Sequence, residues 1–151
     1  MKSLPDEAYK LRLDEADMVR VMQHEWYFDP HTGYTRRKVD GMPMHVFLMG
    51  EAPPGFIWDH VNRDRQDNRQ SNLRLATHSQ SGANRNVGST GTSRYRGVYR
   101  HYRLPRWVAQ IKVQGKVKYL GLYDSQEDAA RAYDAAAQVY FGEFAKLNFP
   151  Q

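Results

Sequence analysis

The sequence predicts an α+β protein: an N-terminal β-hairpin and a strand–strand–helix finger, then a three-stranded antiparallel sheet packed on one helix. Three observations predict it. Two apolar runs near the start, Trp26-Tyr27-Phe28 and Met44 to Met49, are separated by the turn formers Asp29 to Gly33 and Asp40-Gly41. A central segment rich in Asn, Asp and Arg contains only brief apolar stretches. Near the end, three strand-like runs precede an alanine-rich stretch with helical period. At 151 residues the chain has room for one ordinary domain or two small ones, and 40% hydrophobic with 26% charged residues is a globular composition.

Taken in order, the acidic stretch Glu7 to Arg20 reads as helical, and the two apolar runs after it read as hairpin strands. Ile57-Trp58 and Leu73-Arg74-Leu75 read as short strands joined by a polar loop. A short helix behind them has Thr77 as N-cap and Gln80 as capping-box partner. Asn86 to Ser93 has linker composition. The expected organisation is therefore residues 1–86 with a finger core at 57–86, a linker at 87–93, and a second domain at 94–151.

In that second domain the strands are Tyr95 to Arg100, Trp107 to Val113 and Val117 to Tyr123, with Gln114-Gly115 as a tight turn. Strand alternation puts Trp107, Ala109, Ile111 and Val113 on one face and Arg106, Val108, Gln110 and Lys112 on the other. Ser125 is placed to cap a helix, with Asp128 three residues on. Ala129, Ala132, Tyr133, Ala136, Ala137 and Tyr140 form its apolar stripe, and Gly142 ends it. Small alanines let this helix lie close on the face carrying Trp107 and Ile111, which leaves the basic face for a ligand.

Charge is unevenly spread. Residues 1–57 hold seven basic and nine acidic side chains, whereas 91–151 hold ten and five, and Arg94 to Lys118 contains eight basic residues and no acid. Such a stripe suits a polyanion, because each cation near a phosphate releases a condensed counterion. No stretch approaches the 20 or so apolar residues that a membrane helix needs. The start reads as neither a signal nor a transit peptide. The absence of cysteine excludes disulfides and thiolate-held zinc. A cytoplasmic location, in a bacterium or a phage-infected host, is expected.

The bare sheet face fits the DNA major groove, which admits strands as well as helices. Arg96, Tyr99, Arg100, Arg103, Arg106, Gln110, Lys112, Lys118 and Tyr119 are the candidate contacts, and His101 is a candidate phosphate contact. Tyr95-Arg96-Gly97-Val98, Trp107 to Ile111, Tyr119-Leu120-Gly121, Glu127 to Asp134 and Leu147 to Pro150 resemble the Apetala-two/ethylene-response-factor DNA-binding domain over roughly residues 93–150. The resemblance implies major-groove reading by the sheet, with Arg96, Gln110, Lys112 and Tyr119 at matching contact positions. Tyr99 to Arg106 departs from the plant pattern, which leaves the bases read open.

Hydrolysing a phosphodiester requires a base to deprotonate water and a cation to neutralise charge on the phosphate and the leaving oxygen. Asp59-His60 supplies a hard oxygen ligand beside an imidazole of suitable pKa. Strand neighbours point to opposite faces, so the pair serves one site only where the strand breaks into the loop. The string Trp58-Asp59-His60, Asp67-Asn68-Arg69 and Asn72-Leu73-Arg74 resembles the HNH (His-Me finger) endonucleases, especially homing enzymes, over roughly residues 43–86. That implies a ββα-metal finger with Asp59 as metal ligand, His60 as general base and Asn72 holding the histidine loop. His45 matches a His that precedes the motif in the family. The second ligand position falls on Ser81, where the family usually has Asn; Gln80 and Asn84 are the alternative donors. Val46 stands where the family usually has Arg.

Together these readings describe a metal-dependent endonuclease, of the homing type, that nicks double-stranded DNA with one divalent ion, magnesium or alternatively manganese. It acts as a monomer or a DNA-bridged dimer, with no protein partner and no membrane. The other reading is a non-catalytic, sequence-specific DNA-binding regulator with a degenerate finger, favoured by Ser81; RNA ranks below both.

Overall fold

The computed structural model describes residues 10–85 and 91–150. The start of the expected N-terminal helix and residues 86–90 of the linker lie outside the described residues. The chain packs as two compact units, Met1–Thr77 and His78–Gln151. Among the described residues no helix is long and apolar enough to cross a membrane.

In the first unit, helix α1 (Glu15–Val21) is followed by the hairpin β1 (Trp26–Asp29) and β2 (Tyr34–Arg37), paired from Trp26↔Arg37 to Asp29↔Tyr34. The turn is closed by Asp29, whose carboxylate accepts from His31 N and Thr32 Oγ1 while its carbonyl accepts from Gly33 N. Helix α2 (Met44–Met49) then leads to β3 (Phe56–His60), antiparallel to β4 (Leu73–Thr77). Val21, Trp26, Met44 and Leu48 form the core.

Two sequence expectations change here. Met44 to Met49 is a helix, and the second hairpin strand is Tyr34–Arg37 instead. Pro43 sets an extended N-cap, and the run buries Met44 and Leu48, a helical spacing, against Val21 and Trp26, with His45 buried beside Tyr34 and His60. The N-terminal helix begins only at Glu15, because the backbone before it is drawn along the β3–β4 loop: Arg12 N donates to Gln66 O, and Asn68 N donates to Arg12 O.

The second unit contains α3 (His78–Asn84), the sheet β5 (Val98–Arg100), β6 (Trp107–Val113) and β7 (Lys116–Tyr123) in that order, and α4 (Gln126–Phe141). Gln114 and Gly115 both have positive φ, 50° and 80°, as a two-residue hairpin turn requires for its twist to match the strands. Ser125 caps α4 through Asp128 N at 3.0 Å, and Gly142 ends it at φ 51°. The buried stripe of α4 is Ala129, Ala130, Tyr133, Asp134, Ala137 and Phe141, rotated from expectation so that Tyr140 is exposed. The rotation follows from Asp134, whose carboxylate accepts from Asn148 N, Asn148 Nδ2 and Phe149 N and so ties the C-terminal segment to the helix. Ala83 of α3 lies in the same core as Ile111, Tyr133, Ala137 and Phe141.

Strand β5 is shorter than expected because Gly97 leaves the extended region at φ 72°. A Cβ there would collide with the Tyr133 ring and the Gln110 carbonyl oxygen. Gly97→Ala combines a strained φ with an over-packed contact, so it is expected to destabilise the second unit by about 3 kcal/mol, read as a lowered urea midpoint. Gly115→Ala, whose Cβ would meet nothing within 4 Å, isolates the φ effect alone and should cost less.

Candidate functional site

Asp59 and His60 are the last two residues of β3, opposite Arg74 and Leu73. The strand ends there because Arg63 N turns back to His60 O at 2.9 Å, with Arg63 itself at φ 67°. Both side chains are buried, at 8% and 4% exposure. Asp59 Oδ2 lies 3.4 Å from Arg74 Nε, a long contact for a charged pair. His60 Nε2 lies 3.3 Å from Asn68 Oδ1. Its ring also neighbours His45 and Tyr34, at centroid distances of 5.2 and 5.9 Å.

The polar loop is braced from within. Asn72 Oδ1 accepts from Asn62 N at 3.0 Å, its Nδ2 donates to Asp67 O at 2.8 Å, and its carbonyl accepts from Val61 N. Asp67, wholly buried, binds Arg69 Nε and Nη2 at 2.8 and 2.6 Å and accepts from Asn62 Nδ2 at 2.9 Å. The Arg69 hydrogen bonds, helped by Asn62, hold the Asp67 carboxyl down at about 2. The N-terminal segment adds Asp14 to Gln70 N and Asp17 to Gln70 Nε2. Asn68 and Asp67 were not singled out in the sequence; their signal lay in the dense Asp-Asn-Arg loop.

Burial pushes His60 below the ordinary imidazole value, opposed by the Asn68 hydrogen bond and the Asp59 carboxylate. Its neutral form, the one able to take a proton, is therefore favoured near neutral pH. Burial, the His60 ring and the cations Arg36 and Arg65 push His45 down to about 3.

Among the described residues no three His, Cys, Asp or Glu side chains group as a metal cluster. At the strand end Asp59 offers a buried carboxylate, the hard oxygen type that magnesium takes together with water and phosphate oxygen. Ser81 and Asn84 are buried on α3, in the second unit.

In the second unit, cross-strand partners share a face, so Tyr99, Val108 and Leu122, then Gln110 and Tyr119, then Lys112 and Val117 line the side away from α4. Tyr119, Val117 and Tyr99 are exposed there, at 66%, 60% and 39%. Two expected members of this face sit elsewhere. Lys118 pairs with Ile111 on the α4 side, its Nζ 5.1 Å from the Tyr140 ring. Arg100 shares the Trp107 side, its guanidinium 5.7 Å from that ring. Arg96 also differs: it donates to the Gly82, Ala83 and Arg85 carbonyls at 2.9, 2.6 and 3.0 Å, which closes the end of α3. Arg103 and Arg106 are exposed in the β5–β6 loop, with Arg106 paired to Asp124 at 2.8 Å. His101 Nδ1 accepts from Arg103 N and Leu104 N, which shapes that loop.

A buried Asp-His pair at a strand end, braced through an asparagine, and a three-stranded sheet on one helix are the two features expected of a nuclease finger and of a DNA-binding module. The comparisons agree with both halves. The HNH endonuclease family model matches residues 46–83, and the AP2 domain model matches residues 93–143. One segment of the chain is thus similar to HNH endonucleases and another to AP2 domains. It is 28% identical over 133 residues to the uncharacterized HNH endonuclease L560 of Acanthamoeba polyphaga mimivirus, covering 85% of this chain and 68% of that protein. It is 54% identical over 63 residues to the ethylene-responsive transcription factor WRI1 of Arabidopsis thaliana and 51% to the AP2-like factor CRL5 of Oryza sativa subsp. japonica. Each match covers 40% of this chain but only 15% and 10% of the plant proteins. These matches support a nuclease-type function joined to DNA binding.

His45 gives a pH prediction. Its folded value near 3 lies below the unfolded 6.5, so between the two only the unfolded state is protonated and stability falls as pH falls through that window. Near pH 5 the loss is about 2 kcal/mol, at roughly 1.4 kcal/mol per pH unit. Urea midpoints measured across this range should drop on acidification, and His45→Phe should flatten the slope.

Proposed function

We propose that the protein is a metal-dependent, site-selective DNA endonuclease of the homing type that cuts one strand. The observation that carries this reading is the buried, neutral-favoured His60 beside the Asp59 carboxylate at the end of β3. His60 takes the proton of a water that attacks phosphorus, and the bond from phosphorus to the leaving oxygen breaks. Asp59 would hold the divalent ion, magnesium or manganese. When bound, that ion neutralises charge on the phosphate and the leaving oxygen. Asn72 acts at a distance, keeping the loop that follows His60 in register through Asn62 N and Asp67 O. One such centre cuts one strand at a time, and a DNA-bridged pair of copies cuts both.

The DNA-holding surface in this reading is Tyr99, Gln110, Lys112 and Tyr119 on the bare sheet face, with Arg103 and Arg106 in the adjoining loop. Gln110, in the central strand, has the bidentate amide that suits adenine, and Lys112 has the point charge that suits phosphate. Arg96, Arg100 and Lys118 contact other parts of the unit. A second reading, a DNA-binding regulator with an inactive finger, is favoured by Ser81 at the position where a stronger amide ligand is expected.

Supercoiled plasmid incubated with magnesium should become open circles, and His60→Ala should slow this by roughly 10²- to 10⁴-fold. Band-shift binding with the plasmid left intact by the wild type would defeat the enzyme reading in favour of the regulator. Lys112→Ala should weaken binding evenly across sequences and reduce the slope of log affinity against log salt by about 1, whereas Gln110→Ala should cost about 1–3 kcal/mol at selected sites only. Fluorescence anisotropy over a salt series separates the two.

A further inference from the structure

We propose that Arg63 is a substrate contact of the first unit: its guanidinium binds a DNA phosphate beside the one that is cut. This rests on the reading of Asp59 and His60 as the nuclease centre and adds the group that holds the strand against it.

The backbone gives the first observation. Arg63 has φ 67°, in the left-handed region that a residue with a Cβ enters only at a cost. Its neighbours impose that conformation. Arg63 N donates to His60 O at 2.9 Å and closes the turn after β3. Asn62, just before it, donates through its N to Asn72 Oδ1 at 3.0 Å and through Nδ2 to Asp67 Oδ2 at 2.9 Å. Asp64, just after it, donates through its N to Asn62 Oδ1 at 2.9 Å. Glycine enters such a turn freely, and Asn or Asp would cost less than arginine. A loop tip that needed only solvation would carry one of those three. Backbone strain of this kind persists where function uses the side chain.

The second observation is that this guanidinium is uncommitted. Arg12 and Arg69 meet Asp67, Arg36 meets Asp29, and Arg74 lies beside Asp59. Arg65 donates to Thr32 O and lies 4.8 Å from the Tyr34 ring centre. Arg63 is exposed, and among the described residues no carboxylate or carbonyl pairs with its side chain. The adjacent Asp64 carboxylate accepts from Gln66 N at 3.0 Å instead.

Position is the third. Arg63 lies in the turn that ends the strand carrying Asp59 and His60. A phosphodiester strand that reaches this pair brings its neighbouring phosphates to the same end of β3. The Asp59 carboxylate repels that polyanion, and an unpaired cation in the next turn offsets the repulsion where it acts. The planar guanidinium fork also matches two phosphate oxygens at once.

Two variants of the full chain test this. Arg63→Gly removes the cation and the strained φ together, so stability and function should move in opposite directions. Its urea midpoint should rise, while kcat/KM for plasmid nicking in magnesium should fall roughly 10-fold. Fluorescence anisotropy on a DNA duplex in EDTA should show the slope of log affinity against log salt reduced by about 1. Arg63→Lys keeps both the charge and the strain, so its midpoint and salt slope should stay near wild type, with most of the rate retained. An Arg63→Gly chain that keeps the wild-type rate and salt slope overturns the proposal. So does one whose midpoint fails to rise, or an Arg63→Lys chain whose salt slope falls as far as that of glycine. A wild type that leaves plasmid intact, with the slope still reduced in Arg63→Gly, supports the phosphate contact and overturns the nuclease reading alone.

Discussion

The first unit depends on one buried carboxylate. Asp67 sits at no exposure in a loop with almost no apolar side chains, and it gathers Arg69, Asn62 and, at 3.6 Å, Arg12. A loop without a core of its own has no hydrophobic term to hold it, so its conformation rests on polar bonds that strengthen one another in low dielectric. Removing one partner of a buried ion pair typically costs about 3–5 kcal/mol because the remaining charge stays buried. Here the cost is softened, since the Arg69 side chain is 44% exposed and water can reach it. The consequence is directional: Asn68 and Asn72 flank this anchor, and whatever holds Asp67 also sets where His60 finds its partner.

The second unit solves a different problem with similar means. Its helix can approach the sheet closely because Gly97 has no side chain under Tyr133, and Asp134 can be buried because three N–H groups of Asn148 and Phe149 meet it. That close approach decides which cations remain available. Lys118 is drawn over Tyr140 and Arg100 over Trp107, whereas Lys112 and Tyr119 stand on the far side. The face offered to a ligand is therefore less densely cationic than the Arg94 to Lys118 stripe suggests. It combines one amide, one ammonium and two tyrosines, with the guanidiniums of Arg103 and Arg106 in the flanking loop.

Local chemistry in the sequence anticipated much of this. Gln114-Gly115, the Ser125 cap and the end of β3 at Asp59-His60 were legible because each depends on a few adjacent residues. The run Met44 to Met49 was not, since a short apolar stretch fits a strand or a buried helix equally well and Pro43 with distant Val21 and Trp26 decides between them. Arg96, Arg100 and Lys118 were misplaced for a related reason. Composition marks a basic stripe, but the register shift in β7 opposite Ala109 and Gln110 turns Lys118, regular pairing with Trp107 places Arg100, and the carbonyls left at the end of α3 take Arg96. Asn68 was invisible as an individual because only the folded loop brings it to an imidazole eight residues earlier.

The charge distribution gives the fusion of two modules a physical logic under the proposed reading. Residues 1–57 carry more acids than bases, and residues 58–90 only a small basic excess, whereas residues 91–151 carry twice as many bases as acids. An endonuclease must still bring a carboxylate and its neighbours against a polyanion, which the protein's own field opposes or barely favours. Placing the cations on a sheet in the same chain moves that work elsewhere: once the sheet holds the duplex, the finger meets phosphate at the effective concentration set by that connection rather than by its own affinity. The finger then needs only enough affinity to orient one phosphate beside His60, and the choice of target passes to Gln110 and the residues around it. A finger that bound DNA strongly by itself would cut wherever it landed, so its weak charge is what lets the sheet decide.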